Sequence, residues 1–324
     1  MDATRQIPRE ELASAAAKRR HKLLRAVSQL LDAEKAKPVH RVRVGSRRLE
    51  EDLAVVFSKP YPKKVRKLRR ALKQLRRHLG GWRNCDVVLD LIAEKLTDKT
   101  TRSVWKVVEK YVKEQRICAI DKARRKIAKN NFRGGHRRLK KIAEGKHSEA
   151  MPLAATVAEL YEKWRSALLE AAKTRARSDL HAFRIATKKL RYRLELGHDL
   201  GLNAPPLLDP VKQLQRALGD WHDREVLGQM IAEALARPKV LLRQVDAVET
   251  LLQELKSLKR QQAKAMEEIF RLARAAEMQS GQGRIYFLPL APPGGSASTT
   301  REMRRLRSSK TSSMLPDAST TSKP

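Results

Sequence analysis

Between residues 9 and 278, apolar side chains recur three and four positions apart, and Ala, Leu, Lys, Arg and Glu fill most positions between them. This is the pattern of amphipathic helices sharing a core. The apolar/polar alternation of strands is nearly absent. Gly, Pro and capping residues interrupt the pattern at Lys37-Pro38, Lys59-Pro60, Gly80-Gly81, 97–101, Gly134-Gly135, Met151-Pro152, 201–206, Gly219 and Pro238. These breaks predict an all-α fold of about ten helices. From Gln279 the composition turns to Gly, Ser, Thr and Pro, including Pro292-Pro293-Gly294-Gly295, and the periodicity ends. Residues 279–324 are expected to form a disordered tail.

The pattern repeats. His40-Arg41-Val42-Arg43-Val44-Gly45-Ser46-Arg47-Arg48-Leu49 aligns with His181-Ala182-Phe183-Arg184-Ile185-Ala186-Thr187-Lys188-Lys189-Leu190 at an offset of 141. Farther on, Leu72, Leu75, Leu79, Gly80, Trp82, Asp86 and Val87 align with Val211, Leu214, Leu218, Gly219, Trp221, Glu225 and Val226 at an offset of 139. Two blocks in the same order predict two similar helical halves, residues 9–148 and 149–278. Each half reads as a helix, a His/Arg helix, a helix ending at a Gly-x-Trp turn, a further helix and a long closing helix.

On a helix, His40, Arg43 and Arg47 share one face, with Arg48 at its edge, while Val42, Leu49, Leu53 and Val56 lie opposite. In the second half His181, Arg184, Lys188 and Arg191 share a face opposite Phe183, Leu190 and Leu194. The apolar face anchors each helix, and the basic face is left for solvent or a ligand. The segment 63–78 holds nine Lys or Arg and no acid, with Arg66, Arg69, Lys73 and Arg76 flanking an apolar seam. Like charges at this spacing cost a helix about 0.2–0.5 kcal/mol per pair, so a polyanion that neutralises them would explain the crowding. The matched helix is milder, with Lys212, Gln215 and Arg216 in place of Lys73, Arg76 and Arg77. His40 and His181 fall near helix starts, where partial positive charge suits phosphate.

Charge enlarges this local pattern to the whole chain. The 324 residues carry 71 Lys and Arg against 36 Asp and Glu, a net charge of +35, and all but five of those charges belong to the helical part. Such self-repulsion calls for an anionic partner. Aromatic residues are 4% of the chain, too sparse for the stacking platforms of single-strand binders. Nonspecific duplex binding through phosphates remains open. Cys85 and Cys118 are too few to staple a domain of this size, which predicts a reducing compartment and packing roles for both. No signal peptide or spanning helix is evident, so a cytoplasmic location and no membrane partner are expected.

Catalytic signatures are weak. His222-Asp223 resembles half of a metal site, but its counterpart is Arg83-Asn84, and no second ligand set has suitable spacing. No phosphate-binding Gly-rich loop or activated nucleophile stands out. Asp86 and Glu225 are expected to pair with neighbouring bases, and Trp82 and Trp221 to serve as core residues at helix junctions. No metal, cofactor or catalytic residue is expected.

The His-x-x-Arg block, its repeat and the Leu-Gly-x-Trp segment resemble the CHAD family, the conserved histidine α-helical domain, over residues 9–278. The resemblance implies two pseudo-symmetric helical bundles with a basic channel between them that binds inorganic polyphosphate. On matched positions it implies that His40, Arg43, Arg47, Arg48, His181, Arg184, Lys188 and Lys189 line that channel. Bacterial relatives are associated with polyphosphate granules, which implies a non-enzymatic binding protein that targets or organises them. A nonspecific nucleic-acid binder and a polyphosphate-metabolising enzyme are the alternatives. Many relatives carry an N-terminal triphosphate-tunnel domain. Here the CHAD-like region begins almost at Met1, so that activity is not implied. Gly45 stands where the second half has Ala186, so either the backbones pack closely there or the helix is locally weak, glycine costing about 1 kcal/mol relative to alanine.

Overall fold

The computed structural model describes residues 9–32, 36–57, 60–128, 153–201, 206–238 and 245–279. The segment containing the expected boundary between the halves, and the expected tail, lie outside the described residues. Among those described there are nine helices: α1 (Arg9–Asp32), α2 (Ala36–Val56), α3 (Lys63–His78), α4 (Gly80–Lys95), α5 (Arg102–Ala128), α6 (Leu153–Thr174), α7 (Arg177–Asp199), α8 (Leu208–Leu235) and α9 (Val245–Gln279). The described residues contain no strand, in keeping with the 3.6-residue periodicity.

The duplication is visible in what packs on what. α1 packs on α2 as α6 packs on α7, α2 on α3 as α7 on α8, and α4 on α5 as α8 on α9. The matched helices also meet across the halves, α2 against α7 and α4 against α8. Matched apolar positions are buried in pairs: Leu49 with Leu190, Leu53 with Leu194 and Val42 with Phe183 are all fully buried. The side chains tying α2 to α7 are not symmetric. Arg48 pairs with Glu195 at 3.0 Å, and Arg193 pairs with the buried Glu51 at 2.9 Å.

The hydrophobic cores do not follow the halves. One cluster joins α1, α2 and α3 to α6, α7, the first part of α8 and the last part of α9. The other joins α4 and the first part of α5 to the second part of α8 and the first part of α9. Each half therefore completes the core of the other.

Three local expectations need revision. Gly219 does not end a helix, because α8 runs unbroken from Leu208 to Leu235. In the first half the break is one residue, Leu79, and helical bonding continues through it: its N–H bonds Leu75 O and its carbonyl accepts from Arg83 N–H, both at 3.1 Å. A glycine weakens a helix by about 1 kcal/mol, less than the burial of Trp82 and Trp221 on its inner face returns at about 25 cal/mol per Å². Both tryptophans are buried in the core, as expected. Pro38 lies inside α2, where the third residue of the first turn needs no N–H donor. Cys85 is a buried packing residue, whereas Cys118 is exposed on α5.

Gly45 faces α1. A methyl group placed on it would lie 3.5 Å from Leu23 Cδ1, an ordinary contact. The backbones are close enough to feel a side chain but leave space for one carbon, so the glycine leaves α2 weaker than the packing requires. Gly45→Ala is expected to raise unfolding stability by about 0.5–1 kcal/mol, and Gly45→Leu to lower it, as read by the chemical-denaturation midpoint.

Candidate functional site

The apolar faces of α2 and α7 are sunk in the core, so their opposite faces are turned toward each other and toward α3, α4 and α8. Two cavities open there. One, of about 320 Å³, is walled by His40, Arg43 and Arg47 of α2, Arg83 and Asn84 of α4, Arg184, Lys188, Arg191 and Tyr192 of α7, and Gln215, Arg216, Asp220, His222 and Asp223 of α8. The other, of about 430 Å³, is walled by Arg43, Arg47, Glu50 and Glu51 of α2, Lys73, Arg76 and Arg77 of α3, and Ile185, Lys188, Lys189 and Tyr192 of α7. Arg43, Arg47, Lys188 and Tyr192 belong to both walls. Together the two walls carry eleven Lys or Arg and four carboxylates.

Two of the four carboxylates are taken up by arginines. Glu50 is engaged by Arg76 and lies 3.8 Å from Arg69, and Glu51 is engaged by Arg193. Arg43 is aimed by the main chain, its Nη1 donating to the Arg76 carbonyl at 2.8 Å, and Arg76 Nη1 donates to the Ser46 carbonyl at 3.2 Å. These bonds orient both guanidiniums; the charge of Arg76 is met by Glu50, whereas Arg43 has no carboxylate partner among the described residues. The Nε–H of Arg184 and the Oε1 of Gln215 are buried without a hydrogen-bond partner. A buried donor left unpaired costs about 1–3 kcal/mol, which an anion oxygen would relieve.

The electrostatic consequence is consistent around the cleft. Burial, then Arg47 and Arg184, pushes the Arg43 guanidinium down to about 10, and burial pushes Arg184 down to about 10. Both stay charged at neutral pH. Lys188, the residue matched to Arg47, falls to about 6 through burial and then through Arg184, Arg47 and Arg43, with Asp223 acting weakly in the opposite direction. His40 is lowered by burial, then by Arg83, Arg43 and Arg191. His181 is lowered by burial, then by Arg184 and Lys188. Both histidines are fifth residues of their helices, one turn inside the start. His222 is pushed down to about 3 by burial and the same cations. Its ring tilts against His181 at 5.9 Å between centroids, and its Nδ1 lies 3.2 Å from Glu225 Oε2.

Of the residues singled out in the sequence, His40, Arg43, Arg47, Lys73, Arg76, Arg184, Lys188, Lys189, Arg191 and Arg216 come together on these walls. The others stand elsewhere. Arg48 pairs with Glu195. Arg69 donates to the Glu50 carbonyl at 3.1 Å and covers the Tyr61 ring. Lys212 pairs with Asp209 at 2.9 Å. Arg66 is exposed on α3, and His181 is exposed on α7 beside His222. Arg77, Arg83 and Tyr192 join the walls without having been singled out as ligand-facing. The duplicated Leu-Gly-x-Trp block holds the signal for Arg83, because it equates Arg83-Asn84 with His222-Asp223, and all four line the cleft.

Asp86 pairs with Arg116 at 2.7 Å and Glu225 pairs with Arg177, as expected for structural acids. Among the described residues no group of three or more His, Cys, Asp or Glu is placed to hold a metal ion. No helix among them is long and apolar enough to cross a membrane.

An all-α fold with repeated helix pairs and a cationic cleft between the repeats defines a class of helical domain. Residues 14–232 match the CHAD domain, and the chain belongs to the CHAD family. The crystal structure of the CHAD domain from the plant Ricinus communis resembles it with a TM-score of 0.61, covering 86% of this chain and 93% of that one at 20% sequence identity. That likeness is one of fold. No curated protein sequence matches the chain.

A half-buried lysine held among arginines weakens the free fold. Lys188→Met is expected to raise stability by about 1–2 kcal/mol. The folded-state pKa of Lys188 lies below its unfolded value, so the unfolded chain binds more protons from about pH 6 upward, and the cost of the lysine shrinks as pH rises through that window. The gain from Lys188→Met should therefore be larger at pH 6 than at pH 9, as measured by thermal unfolding in low salt.

Proposed function

We propose that the chain binds inorganic polyphosphate, without turning it over, in a basic channel formed by the two cavities. The observation that carries this reading is the shared central wall of Arg43, Arg47 and Lys188 between cavities whose cations outnumber their carboxylates. A flexible chain of closely spaced anions can satisfy both cavities at once, where a single small anion would satisfy one. Arginines supply forked, charge-assisted bonds to phosphate oxygens, and lysines supply mobile point charges. The unpartnered Arg184 Nε–H adds a donor already stripped of competing acceptors. His40 and Arg83 stand at one end, and Lys73 and Arg77 at the other.

Family membership supports polyanion binding at this level, and the absence of aromatic faces other than Tyr192 from the walls favours a ligand without bases. A role in targeting or organising polyphosphate granules, in the cytoplasm, is part of the same proposal. So is the division into residues 9–278, which form the binding domain, and the tail 279–324.

The alternative, a nonspecific nucleic-acid binder, makes the opposite prediction in competition. At fixed salt, long-chain polyphosphate is expected to displace duplex DNA at low phosphate equivalents. Displacement no better than that by an equal charge of a second duplex would refute the channel. Alanine at Arg43, Arg47, Arg184 or Lys188 should each cost about tenfold in affinity, since a hydrogen bond to a charged group is worth about 1.5–3 kcal/mol. Alanine at the exposed Lys106, Lys122, Lys259 and Arg260 should cost far less. Phosphate stabilises the protonated form of Lys188 and the histidines, so binding takes up protons and affinity falls as pH rises above about 6. Calorimetry in buffers of different ionisation enthalpy reads the uptake. Unchanged polyphosphate length after prolonged incubation with a divalent metal distinguishes binding from hydrolysis or synthesis.

A further inference from the structure

The first half has Arg47 where the second has Lys188, and this one difference changes the chemistry available at the centre of the cleft. A guanidinium stays protonated and is not a nucleophile, whereas an amine becomes one when it loses its proton. Lys188 lines both cavities, at the place where they meet. Among the described residues no carboxylate lies within ion-pair distance of it. Facing it are Arg43 and Arg47 of α2, Arg184 and His181 of α7, and His222 and Asp223 of α8, with Arg76 of α3 and Arg83 of α4 completing the walls around them. The guanidiniums of Arg43, Arg47 and Arg184 beside one amine without an ion-pair partner make a place where a phosphoryl group is held beside a nucleophile.

We propose that Lys188 is a self-acylation site for small acyl phosphates, whose phosphate is held by Arg43, Arg47 and Arg184 while the amine attacks the acyl carbon. The Nζ lone pair forms a bond to the carbonyl carbon. The bond from that carbon to the phosphate oxygen breaks, and inorganic phosphate leaves with the electron pair. The surplus proton on nitrogen passes to the departing phosphate or to water. The products are an amide and phosphate, with no change of oxidation state. The arginines act twice, by concentrating the anionic donor and by neutralising charge as it builds on the leaving group. The depressed basicity of Lys188 supports the reaction: a bound phosphate offsets the share due to Arg184, Arg47 and Arg43, but burial, the largest cause, remains, so the amine keeps a larger unprotonated fraction than an exposed lysine. The product has lost a cation at the point shared by both cavities, so acylation would act as a switch on whatever anion the cleft binds.

The test is to incubate the full-length protein with acetyl phosphate and quantify acetylation at each lysine by peptide mass spectrometry over time. At pH 7.5 an ordinary lysine is unprotonated in roughly one molecule in a thousand. Lys188 gains part of that factor and gives some of it back as weaker nucleophilicity, which together with the held phosphate leaves an expected preference of several-fold over exposed Lys106 and Lys259. Its rate should level off at a lower pH than those of the exposed lysines, which continue to rise toward pH 10. A neutral acetylating ester, which lacks the phosphate, should show a smaller preference for Lys188. Uniform acetylation across lysines, or a Lys188 rate that keeps rising with pH like the others, overturns the proposal. Equal preference with the neutral ester overturns the role of the arginines. Inorganic phosphate should slow the Lys188 reaction selectively, and its failure to do so also counts against the site. Polyphosphate retention by the unmodified protein is measured separately. The inference does not require the polyphosphate reading, and loss of one leaves the other standing.

Discussion

Cations of one sign are held close together in a partly buried cleft, and the fold has to supply the free energy that this arrangement costs. Arg43, Arg47, Arg184 and Lys188 face one another from two helices, and water is too far removed to screen them fully. Burial of the opposite faces offsets the repulsion. Val39, Val42, Leu49 and Leu53 on α2, and Leu180, Phe183, Leu190 and Leu194 on α7, are fully buried. At about 25 cal/mol per Å², each of these side chains contributes about 1.5–3 kcal/mol. Rotating either helix to relieve the charges would expose that surface. The cleft therefore stays assembled without its ligand, and the cost of assembling it is not charged against binding.

Much of this was legible in the chain. Helical periodicity and paired His/Arg blocks indicated α2 and α7, their buried faces and the central residues of the cleft. The alignment of Leu72, Leu75 and Leu79 with Val211, Leu214 and Leu218 located matched core positions, all of which are buried. What the sequence hid was which basic residues would find a carboxylate. Arg48 and Arg47 are neighbours on the same basic edge, yet one pairs with Glu195 from the other half and the other faces the cleft. That choice depends on how α2 crosses α7, which no local pattern encodes. One glycine misled for a related reason: Gly219 read as a helix end, but burial of the adjacent Trp221 holds α8 through it, whereas α3 does end beside Gly80. Arg83 escaped notice because a single arginine after a buried tryptophan has no distinctive local spacing.

The two halves have also diverged where they touch. After the duplicated block the first half continues Glu50-Glu51-Asp52, and the second continues Arg191-Tyr192-Arg193. The acids engage Arg76, Arg193 and Arg19, the last of which also reaches Asp199 on α7. Each of these charged groups has a buried or half-buried partner on another helix. Removing one member of such a pair leaves its partner stranded, which is where a large part of the pairing's specificity resides.

The single residue separating α3 from α4 has a mechanical consequence. On the second-half side the cleft is backed by α8, one rod of 28 residues. On the first-half side the corresponding wall is two helices of 16 residues each, joined at Leu79, whose ψ of 0° departs from helical geometry. Bending concentrates where the helical ladder is irregular. Lys73, Arg76 and Arg77 stand on one side of that joint and Arg83 on the other, so a small flexure at Leu79 alters the spacing between two groups of charges. The cleft thus has a stiff jaw and an articulated one, and adjustment of the spacing between its charges falls to the half that carries the densest run of basic residues.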